Sequence, residues 1–143
     1  MTSTRDVRVV DRGGQAALEV LVYSDDAATR SEVVLAVGRR AADDLPPVSW
    51  TEVATHAAVV ELAESGRFAA LVLDGEAAKA GGLGVCRQLK AEVYECPPVI
   101  VLTARPQDSW LAAWSGADAV LCAPLAPIEV RDAVASVSRE QLT

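Results

Sequence analysis

The chain has 143 residues, 51% hydrophobic and 23% charged, with 20 acidic residues against 13 basic ones and a formal net charge of -7. That length suits one domain able to bury its own core without disulfides or a structural metal, and the apolar fraction excludes a disordered chain. The acidic balance argues against a nucleic-acid or anionic-membrane surface, because both call for clustered Lys and Arg.

No apolar run approaches the roughly 20 residues that a membrane span requires. The start, Met-Thr-Ser-Thr-Arg-Asp-Val-Arg, is charged and has no apolar stretch of the secretory kind. The three cysteines, Cys86, Cys96 and Cys122, are widely spaced and form no Cys-x-x-Cys pair, and His56 is the sole histidine. A zinc cluster and a Ser-His-Asp or Cys-His machine therefore have too few parts. Free thiols in a reducing cytoplasm are the expectation.

In chain order, residues 1–16 are polar and broken by Gly13-Gly14, which predicts a loose extension with room for a short strand at Val7–Val10. Leu18–Tyr23 is a strand rich in Leu and Val, closed by Ser24-Asp25-Asp26. Thr29 to about Ala42 places Val33, Val34, Val37 and Ala41 on one helix face, with Pro46-Pro47 as the stop. Val48–Ala54 is the next strand. Thr55–Ser65 is a helix with Thr55 as N-cap and Gly66 after it.

Phe68–Leu73 is an unbroken apolar run ending at Asp74, as expected for a strand covered on both faces. Gly82–Val93 is helical with Leu83, Cys86, Leu89 and Val93 on one side, and Val99–Leu102 is a strand ending at Thr103. Asp108–Ser115 is a short helix, Ala119–Cys122 the last strand, and Pro127 opens a terminal helix. Strands and helices alternate throughout, which predicts an α/β fold with helices on both faces of a five-stranded parallel sheet. Residues 17–143 form that single domain, and no output-type domain is expected within the chain.

Ligands of such sheets collect beyond the carboxyl ends of the strands. Those ends carry Asp25 and Asp26, then Asp74, then Thr103. Three converging carboxylates repel one another unless a hard cation lies between them, and Mg²⁺ with one or two carboxylates, waters and a phosphate suits such oxygens. A carboxylate neutralised in this way can attack a phosphoryl group. Taken singly, Asp25 or Asp26 can equally serve as N-cap of the first helix.

The same residues carry a resemblance. From about Leu18 to Val137 the chain is similar to the receiver domain of two-component response regulators, through VLVYSDDAATR, LVLD ending at Asp74, GGLGVCRQLK, PPVIVLTA with Thr103, and GADAVLCAPL. The resemblance implies the flavodoxin-like strand order 2-1-3-4-5, Asp74 as phosphoacceptor, Thr103 as its hydrogen-bonding switch residue, and Asp25 and Asp26 as Mg²⁺ ligands. Glu76 stands where receivers set phosphate lifetime and lend a backbone carbonyl to the metal. Matching Arg30 to the arginine common in that helix puts Ser24 and Asp25 at the acidic pair and makes Asp26 an extra acid. A match one residue later pairs Asp25 with Asp26.

Departures from the pattern are as informative. The lysine expected before the proline after the last strand is Ala123, the aromatic switch position falls on Val120, and the usual Met-Pro turn is Ala77-Ala78. Losing one donor to a developing charge costs about 10²–10³ in rate, so an impaired, atypical receiver is expected. Arg105 and Lys79 are candidate substitutes for the missing cation, or else solvated surface charges.

Gly81-Gly82-Leu83-Gly84 lacks the Lys-Ser/Thr of a phosphate loop and the G-x-G-x-x-G spacing, so it reads as a helix entry. Trp110 and Trp114 are four apart and share a helix face. They are expected either to form a partner surface on the helix 4–strand 5–helix 5 side, where receivers form homodimers, or to pack over the sheet. Expected partners are a sensor kinase or another signalling protein, with no direct nucleic-acid contact and no membrane. The competing readings are a phosphorylation-independent pseudo-receiver, a flavodoxin-like nucleotide or flavin binder, and an aspartyl hydrolase. The hydrolase would want Asp where Glu76 stands.

Overall fold

The structure, a computed structural model, describes residues 9–12, 15–77 and 82–142. In chain order the elements are β1 (Val9–Arg12), β2 (Gln15–Tyr23), α1 (Ala27–Val37), β3 (Val48–Val53), α2 (His56–Ala63) and β4 (Ala70–Asp74). They continue with α3 (Gly82–Glu92), β5 (Val99–Thr103), a 3-10 turn at Pro106–Asp108, α4 (Ser109–Trp114), β6 (Ala119–Cys122) and α5 (Pro127–Leu142).

Strands β3, β2, β4, β5 and β6 lie side by side and parallel. Counted along the chain, those five parallel strands run in the predicted order 2-1-3-4-5. Within the N-terminal segment, where the sequence left room for a short strand at Val7–Val10, the structure has a strand at Val9–Arg12. Val9–Arg12 pairs antiparallel with the start of β2, Val9 opposite Leu18 and Arg12 opposite Gln15, so β2 begins three residues earlier than its apolar run. Backbone pairing there extends the strand past the point where its side chains become apolar.

The side-chain period of a strand sorts the core into two halves. Leu18, Val20, Val22, Val72 and Ile100 face α1 and α5, meeting Val33, Val37, Val130 and Val134. Leu21, Leu71, Leu73, Val99 and Val101 face the other way, onto Val59 of α2, Val85 and Leu89 of α3, and Ala112 of α4. Strands β4 and β5 are buried along their whole length because helices cover both faces.

Helix α1 stops at Gly38, several residues before the predicted end. Gly38 takes φ +73°, a conformation that side chains resist, and its amide donates to the Val34 carbonyl. Val33 and Val37 still face the core, and Ala41 follows them from the loop. Among the described residues no helix is long and apolar enough to cross a membrane.

Candidate functional site

The carboxyl ends of β2, β4, β5 and β6 open onto one cleft of about 340 Å³. It is lined by Asp25, Asp26, Thr29 and Glu32 from the β2–α1 side, and by Asp74 and Glu76 after β4. Leu102, Thr103 and Ala104 at β5, with Ala123 and Leu125 after β6, complete it. The structure thus brings the predicted Asp25, Asp26, Asp74, Glu76 and Thr103 to one rim.

Asp74 is the last residue of β4 and only 8% exposed. The next residue must be glycine for steric reasons. Gly75 donates its amide to the Leu102 carbonyl at 2.8 Å, and a Cβ on it would lie 2.6 Å from that same oxygen. The chain then turns so that the Glu76 amide donates to Asp74 Oδ1 at 2.9 Å. The other oxygen, Oδ2, accepts from the Ser24 hydroxyl at 2.7 Å. Both carboxylate oxygens are oriented.

Asp25 is exposed at the rim. Asp26 is the N-cap of α1: its Oδ1 accepts from the Ala28 amide at 2.9 Å and its Oδ2 from the Thr29 hydroxyl at 3.2 Å. The capping alternative therefore falls to Asp26 and leaves Asp25 facing the cleft. Burial pushes the Tyr23 phenol above its ordinary range, and the charges of Asp25 and Asp74 push it further. That buried ring feels both carboxylates at once. Thr29 and Glu32 were missed by the sequence reading; the available signal was that they lie three apart in the first turns of α1 and so share a helix face.

Among the described residues that line the cleft, none is Lys, Arg or His. Arg105, the candidate substitute, instead donates from Nε and Nη2 to Asp108 at 3.2 and 3.3 Å, and its side chain is 65% exposed. Lys79 and Ala78 lie outside the described residues, as does Gly81. Arg30 donates from Nη1 to the Ser24 carbonyl at 2.6 Å and from Nε to Glu52 at 3.2 Å, so it braces the acidic loop from behind. Thr103 is 3% exposed, and its hydroxyl lies 3.5 Å from the Leu121 carbonyl.

No three His, Cys, Asp or Glu side chains converge as a ready metal cage among the described residues. His56 sits away from the cleft on α2, 2.6 Å from Gln88. Trp110 and Trp114 are largely exposed on α4, at 67% and 61%, rather than packed over the sheet.

A parallel α/β sheet of order 2-1-3-4-5 with acids gathered at its carboxyl edge defines the class: a flavodoxin-like receiver fold. Solved receiver domains superpose on it. One from a Francisella response regulator matches with TM-score 0.72 at 18% identity, covering 85% of this chain and 97% of that one. Another, from a Pseudomonas aeruginosa sensor histidine kinase and solved with magnesium in its active-site cleft, matches with TM-score 0.67 at 21% identity over 85% and 97% of the two chains. Over 123 residues the chain is also 46% identical to uncharacterized response regulatory proteins of two Mycobacterium tuberculosis strains, spanning 86% of this chain and 92% of theirs. No family model matches. The chain belongs to the response regulator family, as a receiver domain.

Proposed function

We propose that this receiver domain acts as an atypical stand-alone response regulator in a phosphorelay, with Asp74 as phosphoacceptor and protein contacts as its output. The observation that carries this reading is the geometry of Asp74, a nearly buried strand-end carboxylate held by donors on both oxygens and sharing a cleft with Asp25 and Thr103. One Asp74 oxygen attacks phosphorus, the bond from phosphorus to the donor's leaving group breaks, and that group departs with the electron pair. The domain is modified rather than turning over substrate, so it is a signalling module and not an enzyme in the usual sense.

The oxygen donors fit Mg²⁺, which takes one or two carboxylates and fills its remaining positions with water. Asp25 and Asp74 would hold it with the Glu76 backbone carbonyl, and Asp26, engaged as a cap, is second choice. Bound there, the ion would neutralise the acids and polarise a phosphoryl oxygen. The Thr103 hydroxyl has only a long contact to Leu121, at 3.5 Å, and is therefore available to turn toward a phosphoryl group.

Trp110 and Trp114 on α4 and Ile128 on α5 are exposed apolar side chains, and such residues are the anchors through which a sensor kinase, another signalling protein or a second copy would engage. The face expected from the sequence spans α4, β6 and α5. The acidic surface speaks against direct nucleic-acid contact, and the cytoplasm is the compartment where such a relay operates.

A second reading, a pseudo-receiver that never carries phosphate, is favoured by the lack of a cation among the described cleft residues. Mg²⁺ with acetyl phosphate or beryllium fluoride separates the two, by intact mass or by chemical-shift change at the cleft. A flavin or nucleotide binder stands third, because without a cation between them five acids at this edge would repel its phosphate; a purified protein without visible absorbance would exclude flavin.

A further inference from the structure

Ser24 is fully buried at the end of β2, and its hydrogen bonding leaves it one orientation. Its Oγ accepts from the Asp26 amide at 3.0 Å, which directs its own O–H to Asp74 Oδ2 at 2.7 Å. Its carbonyl is gripped by Arg30 at 2.6 Å, and Arg30 is itself tied to Glu52 on β3 at 3.2 Å. The hydroxyl is thus clamped from both sides. Without it, only the Glu76 amide would restrain the carboxylate, and that amide reaches the other oxygen.

Resting on the reading of Asp74 as phosphoacceptor, we infer that Ser24 is its positioning residue, a neutral hydroxyl that aims the carboxylate in a cleft whose described lining holds no cation. A carboxylate held at both oxygens cannot rotate about its last torsion, so it meets the phosphodonor in one pose. In that encounter the Asp74 oxygen–phosphorus bond forms, the bond from phosphorus to the acetyl oxygen of acetyl phosphate breaks, and acetate leaves with the electron pair. Ser24 keeps its proton throughout.

The test times phosphorylation of Asp74 by intact mass, with acetyl phosphate and Mg²⁺, in wild type, Ser24→Ala, Ser24→Cys and Ser24→Thr. Near-ultraviolet circular dichroism and a thermal melt check folding. Ser24→Ala should label roughly 10- to 100-fold more slowly, the factor that a lost hydrogen bond to a charged group corresponds to. Ser24→Thr keeps the hydroxyl and should recover most of the rate, and Ser24→Cys, a weaker donor, should fall between. Should the extra methyl unfold Ser24→Thr, the order Ser, Cys, Ala decides. Folded Ser24→Ala at the wild-type rate or faster overturns the positioning role while leaving Asp74 as acceptor. So does folded Ser24→Thr as slow as Ser24→Ala. Wild type that takes up no phosphoryl group overturns the acceptor reading and this inference together.

Discussion

The Ala123 amide donates to the Thr103 carbonyl at 2.8 Å, which fastens the residue after β6 against the strand end that carries the cleft's threonine. A methyl group thus lines the cleft where the family resemblance calls for an ammonium group. Ala123→Lys places a cation beside five carboxylates and should raise the rate of Asp74 phosphorylation by about 10²-fold, the usual worth of one donor to a developing charge. Timed intact-mass measurements with acetyl phosphate and Mg²⁺ check this. An unchanged rate would mean that the missing cation is not what limits the site.

Gly75→Ala probes the backbone that presents Asp74. The new methyl would meet the Leu102 carbonyl at 2.6 Å, and that oxygen belongs to β5 and cannot swing away. The ends of β4 and β5 must separate, which should cost about 1–3 kcal/mol, the range for overpacking a close-packed interior. Urea melts read the loss. A variant as stable as wild type would show that the turn has slack.

The tryptophans on α4 should tolerate polar replacement. Both are exposed, and the Arg87 guanidinium lies 3.9 Å from the Trp114 ring centre, so the ring is covered by a surface cation and not by the core. Trp110→Gln with Trp114→Gln should stay folded, each change within about 0.5 kcal/mol as for ordinary surface sites. Where a second copy is the partner at this face, self-association followed by light scattering across concentration should weaken. Unfolding of the double variant would mean that the rings support the core after all.

Cysteine chemistry gives a pH-dependent check. Burial raises the Cys86 thiol above its ordinary 9.0, with the hydrogen bond to Ser115 pulling the other way. A raised acid group stabilises the fold fully below its unfolded value and loses that contribution as pH climbs through the folded one. Stability should therefore hold through neutral pH and fall above about pH 9. Alkylation at pH 8 should modify Cys96 and Cys122, which are half-buried, and spare Cys86 until denaturant is added. Prompt modification of all three thiols would contradict this.

Much of this was readable along the chain because buried parallel strands announce themselves as short Val, Leu and Ile runs, and a strand-end rule then points at Asp74 and Thr103. Other features were hidden for identifiable reasons. A short strand was readable at Val7–Val10, but its bounds were not: Val9–Arg12 is half polar, and backbone pairing with Gln15–Leu18 sets where it runs. The end of α1 was misplaced because apolar periodicity runs on to Ala41 while Gly38 has already broken the backbone. Matching Arg30 already favoured Asp25 over Asp26, but only the hydrogen bonds that Ala28 and Thr29 give Asp26 show what occupies the second acid. Ser24 meets Asp74 across 50 residues, a contact no local window contains.

Incubating wild type and Asp74→Asn with acetyl phosphate and Mg²⁺, then weighing both, tests the central claim most directly. Wild type should gain the mass of one phosphoryl group and lose it again when the acyl phosphate is cleaved by hydroxylamine, while Asp74→Asn, matched in folding, should gain nothing. Equal mass gain in the two proteins, or none in wild type at saturating donor and metal, would contradict the account.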